Sequence, residues 1–399
     1  MPTPSHCAAS PESIGIDSAK LERVFERAER EVREGLLPSC QVAVARQGKL
    51  AGMRTFGSVT HEGRTAAATN ETLYVVFSCS KAITSTAGWI LLQEGKLELK
   101  ERVADILPEF ATNGKERVTV EQLFTHTAGF PYAPYPPSEW LDRDARRTRF
   151  GRWRLNFEPG SRMEYHATSS MWVIAAIVEE RAGLNFDQFV RQRIAAPLGL
   201  DDLYLGLPRE QHGRLADVVH VGPVLSPEEL AKMGFPVNPQ SEVTEEALLE
   251  FNRPEARMAG VPGGGATMTA GDLALFYQAL LRDAEPHDGV RIWSRETVAQ
   301  GLEIRTGDLV DPMLGRRLAN RALGLVIAGE TDRHFRGFGH TNSSRAFGHM
   351  GAGGQVAWAD PETGISFGYC TNGHDRNPLR QGRRGVGLSS RAASCLLDA

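Results

Sequence analysis

Apolar positions along the chain change their spacing twice, and those changes outline a fold. Between residues 17 and 35, Leu21, Val24, Phe25, Ala28 and Val32 recur at helical spacing. Asp17 is placed to cap that helix and Gly35 to stop it. Short apolar runs at 42–45 and 50–56 flank Gln47-Gly48, the pattern of a hairpin. A long apolar helix is expected over 79–94, closed by Gly95. From 97 to about 260 the pattern is mostly helical with Pro-rich joints. Its clearest helix is 170–182, with Met171, Ile174, Ala175 and Val178 on one face. The stretches 130–137 and 206–262, rich in Pro and Gly, read as long surface loops. A helix over 270–282 follows, and the last third returns to strands at 322–328, 355–359 and 365–371. Asp360-Pro361-Glu362-Thr363-Gly364 supplies the turn between the last two. Strands at both chain ends with helices between them predict an α+β fold. The expected division is a sheet lobe from 1–76 and 262–399, a mostly helical lobe from 77–261, and an active site between them.

Composition narrows the function classes. The 399 residues are 41% hydrophobic and 24% charged, the balance of a soluble globular protein. A formal net charge of −4 gives no global attraction to nucleic acid or to an anionic membrane. No apolar stretch is long enough for a spanning helix. The first ten residues lack the charged and apolar regions of a signal peptide. Five scattered cysteines without CxxC spacing argue against a disulfide framework and a zinc site. The expectation is a cytoplasmic protein without metal or cofactor, acting on a small molecule.

Ser78-Cys79-Ser80-Lys81 is an S-x-x-K tetrad, weak as a pattern but well placed. A strand-like run over 73–77 leads into it and the apolar helix leaves from it. Ser78 is therefore expected at a helix N-terminus, where unpaired N–H groups and the dipole favour developing negative charge. The i, i+3 spacing puts Lys81 one turn on, on the same face as the hydroxyl. The apolar flanks Ala82, Ile83 and Ala87 offer the burial that makes a lysine usable as a base.

Residues 77–97 around this tetrad resemble the nucleophile helix of the serine β-lactamase and penicillin-binding-protein superfamily, closest to its class C and family VIII carboxylesterase branch. Further resemblances follow in order: Val103-Ala104-Asp105-Ile106-Leu107-Pro108-Glu109-Phe110; the segment 118–129 containing Thr125-His126-Thr127-Ala128-Gly129; Glu158 to Tyr165; and Phe347 to Gly354. The resemblance implies a β-lactamase/transpeptidase-like fold and an acyl-enzyme on Ser78. It also implies Lys81 and Tyr165 as general base and acid, their order left open. The Ser78 and Ala352 N–H groups would form the oxyanion hole on the third-motif strand, and His349 and Gly351 would contact substrate at the cleft rim.

Two departures bear on substrate. Where β-lactamases carry Tyr-x-Asn, this chain has Tyr165-His166-Ala167, without the amide that grips a substrate amide. Where they carry a lysine in the third motif, it has His349, a weaker partner for a carboxylate. Both favour a serine hydrolase acting on simple esters; transfer of the acyl group to an alcohol or amine is the alternative, then β-lactam or D-amino-peptide cleavage, then a binding protein without turnover. Gly364-Ile365-Ser366-Phe367-Gly368 matches a nucleophile elbow by letter, but its serine falls within a strand pattern and is read as structural. His166 is also read as structural. Arg143, Arg146, Arg147, Arg149, Arg152 and Arg154 read as a solvated or acid-paired face, with an anion-docking patch as the sharper reading. Tyr132, Tyr135 and Trp140 are placed either to wall an acyl pocket or to pack the lobes. Gly263-Gly264-Gly265 lacks the Lys-Ser/Thr of a phosphate loop.

Overall fold

The computed structural model describes residues 6–61, 63–235, 243–281 and 290–398. Three strands come from the front of the chain: β1 (Ser39–Arg46), β2 (Lys49–His61) and β3 (Arg64–Ala67). Four come from its end: β4 (Val326–Ile327), β5 (Phe347–Met350), β6 (Val356–Asp360) and β7 (Ile365–Thr371). They form one antiparallel sheet in the order β4-β5-β6-β7-β1-β2-β3. The two chain ends meet in its middle, where Val42 lies opposite Tyr369 and Val44 opposite Phe367.

Helices cover both faces, which is why β1 reads as a continuous apolar run. Cys40, Val42 and Val44 face α1 (Ser18–Arg33) and α6 (Pro378–Ala393), while Ala43 and Ala45 belong to the core on the other face. Asp17 caps α1 by accepting from the Lys20 N–H at 2.8 Å. On the opposite face lies the helix Ala270–Leu280. It approaches so closely that a Cβ at Gly368 would sit 2.4 Å from the Ala270 carbonyl oxygen. Ser366 is consumed in that contact, donating to the Ala274 carbonyl at 2.7 Å and accepting from Gln278 Nε2 at 2.9 Å.

The middle of the chain supplies α2 (Ser80–Gln93), α3 (Arg143–Arg152) and α4 (Ser169–Ala182); the helix Ala270–Leu280 is α5. Every residue of α2 from Ser80 to Leu91 is buried, so it has no polar face. The same holds for α4 from Ser169 to Glu179; its four apolar positions mark no single side. One apolar core runs from Ala43 and Cys370 through Trp89 to Trp172, joining sheet and helices.

Some expected elements differ. Only Val326–Ile327 of the 322–328 run is a strand, because Gly324 takes φ +81° against Ser85 and turns the chain. The 130–137 stretch is not a surface loop: Phe130, Ala133 and Tyr135 are buried among aromatic rings. The described part of 206–262 folds into short helices, among them Pro227–Lys232, Glu245–Leu249 and Pro254–Ala259. Its residues 236–242 lie outside the described residues, as do Arg282 and positions 1–5 of the N-terminal stretch. Among the described residues, no helix is long and apolar enough to cross a membrane.

A buried ion network ties the chain ends together. Arg384 on α6, almost without exposed surface, donates to Glu31 on α1 at 2.7 Å and to Asp375 at 2.9 Å. Glu31 is also bonded by Arg27 and Asp375 by Arg380, so each carboxylate keeps a second cation when this guanidinium is removed. Arg384→Met, which deletes two charged hydrogen bonds, is expected to lower unfolding free energy by about 1.5–3 kcal/mol in urea titration. A change below 1 kcal/mol would show that the network is dispensable.

Candidate active site

Residues Phe77–Cys79 form one 3-10 turn that feeds directly into α2. Phe77 enters it at φ +43°, a strained conformation for a side-chain-bearing residue. Packing of its ring edge-on against Phe251, 5.3 Å between centroids, helps hold it there. Ser78 is left half-buried at the top of the helix, while Ser80 locks the turn by donating to the Phe77 carbonyl and accepting from the Ala266 N–H at 2.9 Å.

Two side chains converge on the Ser78 hydroxyl. Lys81 Nζ lies 3.2 Å from Ser78 Oγ, and the Tyr165 hydroxyl donates to the same oxygen at 2.9 Å. Lys81 is fully buried and donates to the carbonyls of Ala167 at 2.6 Å and Gly263 at 2.7 Å. Those two bonds leave the third tetrahedral position of its nitrogen directed at Ser78. The glycine run 263–265 makes this possible: a Cβ at Gly263 would sit 2.9 Å from the Ala167 carbonyl oxygen. Tyr165 lies with its ring 4.9 Å below Lys81 Nζ, 4.8 Å from the His126 ring and 5.2 Å from the Arg321 guanidinium carbon. Desolvation pushes its phenol up to about 12, against the pull of Arg321 and of the Ser78 hydrogen bond.

His126, itself at φ +59°, fixes the Tyr165 backbone from both sides. Its carbonyl accepts from the Glu164 N–H at 3.0 Å and its Nδ1 from the His166 N–H at 3.2 Å. His166 is buried, donating from Nδ1 to the Glu164 carbonyl at 2.7 Å and accepting at Nε2 from the Phe130 N–H at 3.1 Å. Burial holds it neutral, its pKa lowered to about 3.

The third-motif segment packs against the Ser78 turn. Cys79 Sγ donates to the His349 carbonyl at 3.3 Å, and a Cβ at Gly351 would sit 2.7 Å from the Val76 carbonyl oxygen. Gly351 is thus the point of closest backbone approach. Strand β5 ends at Met350, so Ala352 lies in the turn beyond the strand rather than on it. The Ala352 N–H meets no acceptor among the described residues, and Ala352 remains partly exposed beside the site. His349 is not at an open rim: it is 6% exposed, its Nδ1 donates to the Met350 carbonyl at 2.7 Å, and its Nε2 is 3.4 Å from Arg321 Nη1.

Gly263, His126 and the pair Arg321–Asp311 have no role in the sequence reading. His126 lay within a quoted motif and Gly263 within a glycine run considered only as a phosphate loop; Arg321 is 28 residues from His349 in sequence and carries no local pattern. Four arginines of α3 are acid-paired, Arg143 with Glu179 at 3.6 Å, Arg146 with Glu179 at 3.0 Å, Arg147 with Glu109 and Glu180, and Arg149 with Glu139; Arg152 and Arg154 are exposed. Tyr135 and Trp140 pack on Trp172, while the Tyr132 hydroxyl bonds to Glu164. Among the described residues no three His, Cys, Asp or Glu side chains converge as a metal site.

A family model described as beta-lactamase matches residues 25–390. The esterase/beta-lactamase LipL of Mycobacterium tuberculosis is 28% identical over 318 residues, covering 75% of this chain and 68% of the relative. A penicillin-binding-protein homologue from Caulobacter crescentus superposes with a TM-score of 0.78 at 26% identity, over 96% of this chain and 99% of its own. A family VIII carboxylesterase superposes at 0.77, also 26% identical, over 95% and 99%.

The neutral histidines have a consequence in acid. Folded His166 takes a proton only near pH 3, the unfolded chain near 6.5. Stability is therefore full above pH 6.5 and falls as pH drops towards 3, by up to roughly 4–5 kcal/mol from this residue. His166→Gln is expected to flatten that acid limb in denaturant titrations at pH 4 and 7; an unchanged slope would contradict it.

Proposed function

The chain belongs to the beta-lactamase family, and on that premise we propose that it is a carboxylesterase working through an acyl-Ser78 intermediate. The observation that carries the proposal is the meeting of Lys81 Nζ and the Tyr165 hydroxyl on one half-buried serine oxygen. Lys81, losing its proton, presents a lone pair along the direction the two carbonyls leave it. It takes the Ser78 proton as Oγ attacks the ester carbonyl. The oxyanion is received by the N–H groups of Ser78 and Ala352, each donor worth about 3 kcal/mol of barrier. As the tetrahedral intermediate collapses, the phenol of Tyr165 protonates the departing alkoxide, and the Lys81 ammonium returns a proton to the phenolate. Water then repeats the sequence in reverse, with Lys81 as base and Tyr165 returning the proton to Ser78 Oγ. A phenol held up near 12 is suited to the acid role, which supports Lys81 as the base.

Esters are favoured over β-lactams by what surrounds the triad. Ala167 offers no side-chain amide, and its carbonyl is already engaged by Lys81. His349 is kept neutral by burial and by the adjacent cations Arg321 and Lys81, so it supplies no charge for a carboxylate. Four of the six arginines that would dock an anionic carrier for acyl transfer, Arg143, Arg146, Arg147 and Arg149, are paired with glutamates, which favours water as the acceptor. All five cysteines are free, in keeping with a reducing cytoplasmic setting.

Incubation with p-nitrophenyl butyrate is expected to give turnover that Ser78→Ala abolishes, and a fluorophosphonate should add one mass adduct, on Ser78. Equal hydrolysis by both proteins would refute the proposal. Tyr165→Phe is expected to lower kcat/KM for alkyl esters by about 10²- to 10⁴-fold. A chromogenic cephalosporin should turn over far more slowly than the ester.

A further inference from the structure

The cation beside the tyrosine comes from an unexpected element. Arg321 sits just before β4, 7% exposed, with its guanidinium carbon 5.2 Å from the centre of the Tyr165 ring. Asp311, 1% exposed, holds Nη2 at 3.2 Å and is itself fixed by accepting from the Met313 N–H at 2.9 Å. Nη1 points at His349 Nε2, which is an acceptor because Nδ1 gives its hydrogen to the Met350 carbonyl. Nε is buried without a partner among the described residues.

The groups facing Tyr165 divide by charge. His126 and His349 are held neutral by burial, and the Cys79 thiol, pushed up to about 12, is neutral too. Ser78 carries no charge. Lys81 changes charge with every proton it moves, and Asp311 opposes a phenolate. Arg321 alone stays cationic throughout, because a guanidinium does not deprotonate in proteins. Its pull on the phenol exceeds the opposing push of Asp311. In a site of low dielectric, a fixed cation at this distance acts most strongly when the ring turns anionic.

We propose that Arg321, anchored by Asp311, is a positioning residue that stabilises the Tyr165 phenolate formed when the phenol protonates the departing alkoxide. The inference rests on the esterase reading. The proton passes from Tyr165 to the alkoxide oxygen as the acyl C–O bond breaks, and the resulting phenolate is quenched by the Lys81 ammonium, so Tyr165 and Lys81 end each half-reaction in the protonation states in which they began it. His349 stands where relatives in the resembling superfamily carry a lysine, and Arg321 supplies the missing positive charge from another segment.

Leaving-group dependence tests this. p-Nitrophenoxide departs without a proton, whereas an alkoxide needs one. For Arg321→Met, kcat/KM on ethyl butyrate is expected to fall about 10- to 100-fold, while that on p-nitrophenyl butyrate stays within about threefold. Arg321→Lys should recover much of the ethyl ester activity. The double variant Arg321→Met/Asp311→Asn removes the stranded carboxylate, guards against misfolding, and is expected to show the same selective loss. Equal losses on both esters, or none on ethyl butyrate, would overturn the proposal. Failure of the esterase reading itself looks different: the unaltered protein would show no Ser78-dependent turnover of either ester.

Discussion

A lysine with no exposed surface must find its hydrogen-bond partners inside the protein, and for Lys81 these come from three separate stretches of chain. Ser78 is one turn away on its own helix, Ala167 follows the tyrosine of the second motif, and Gly263 opens the segment leading back to the sheet. Burying an amine without such partners is costly. Satisfying this one nitrogen therefore forces the nucleophile turn, the Tyr165 segment and the glycine run into fixed relative positions. Thr84, donating to the Pro262 carbonyl at 2.7 Å, and Ser80, accepting from Ala266, stitch the same helix to the same segment.

Around that nitrogen the site is built from buried polar groups whose charge states the packing fixes. Three histidines near Tyr165 are neutral because they are desolvated and lie near cations. Two of them serve the backbone: His126 and His166 exchange hydrogen bonds with residues 164–166 and 130, so their rings act as rigid spacers holding the tyrosine. On the proposed mechanism the mobile proton passes among a serine, a lysine and a phenol, beside one buried arginine. Half-reactions of this kind need a site that does not reorganise as charge moves, and the hydrogen bonds of Lys81, His126 and His166 to the backbone hold it in place.

The sheet has a second task besides carrying β5. It joins the first and last parts of the chain, and α1 and α6 are locked to each other on one of its faces by Arg384. The segment after β5 is thereby set against the Ser78 turn at the glycine contact Gly351–Val76. The strained Phe77 thus directly follows the residue whose carbonyl Gly351 approaches.

How much was legible in the sequence follows from the range of each interaction. Helix α1, the β1–β2 hairpin, the turn at 360–364 and the burial of α2 rest on local spacing, and periodicity revealed them. Ser78 and Lys81 are one helical turn apart, so their meeting is also a local fact. Tyr165 entered only through the order of motifs, since nothing in spacing brings residue 165 to residue 78. The burial of 130–137 and the break at Gly324 escaped because each depends on what packs against it. Arg321 was invisible for the same reason: an arginine becomes a neighbour of Tyr165 only when the segment before β4 folds over the ring. The amino-acid order determined the long helices, the individual strands at both chain ends and the serine–lysine pair, because those are written in contacts of short range. Tertiary structure alone decided which phenol, which carbonyls and which cation surround that pair, because these arrive from distant segments and are selected by burial.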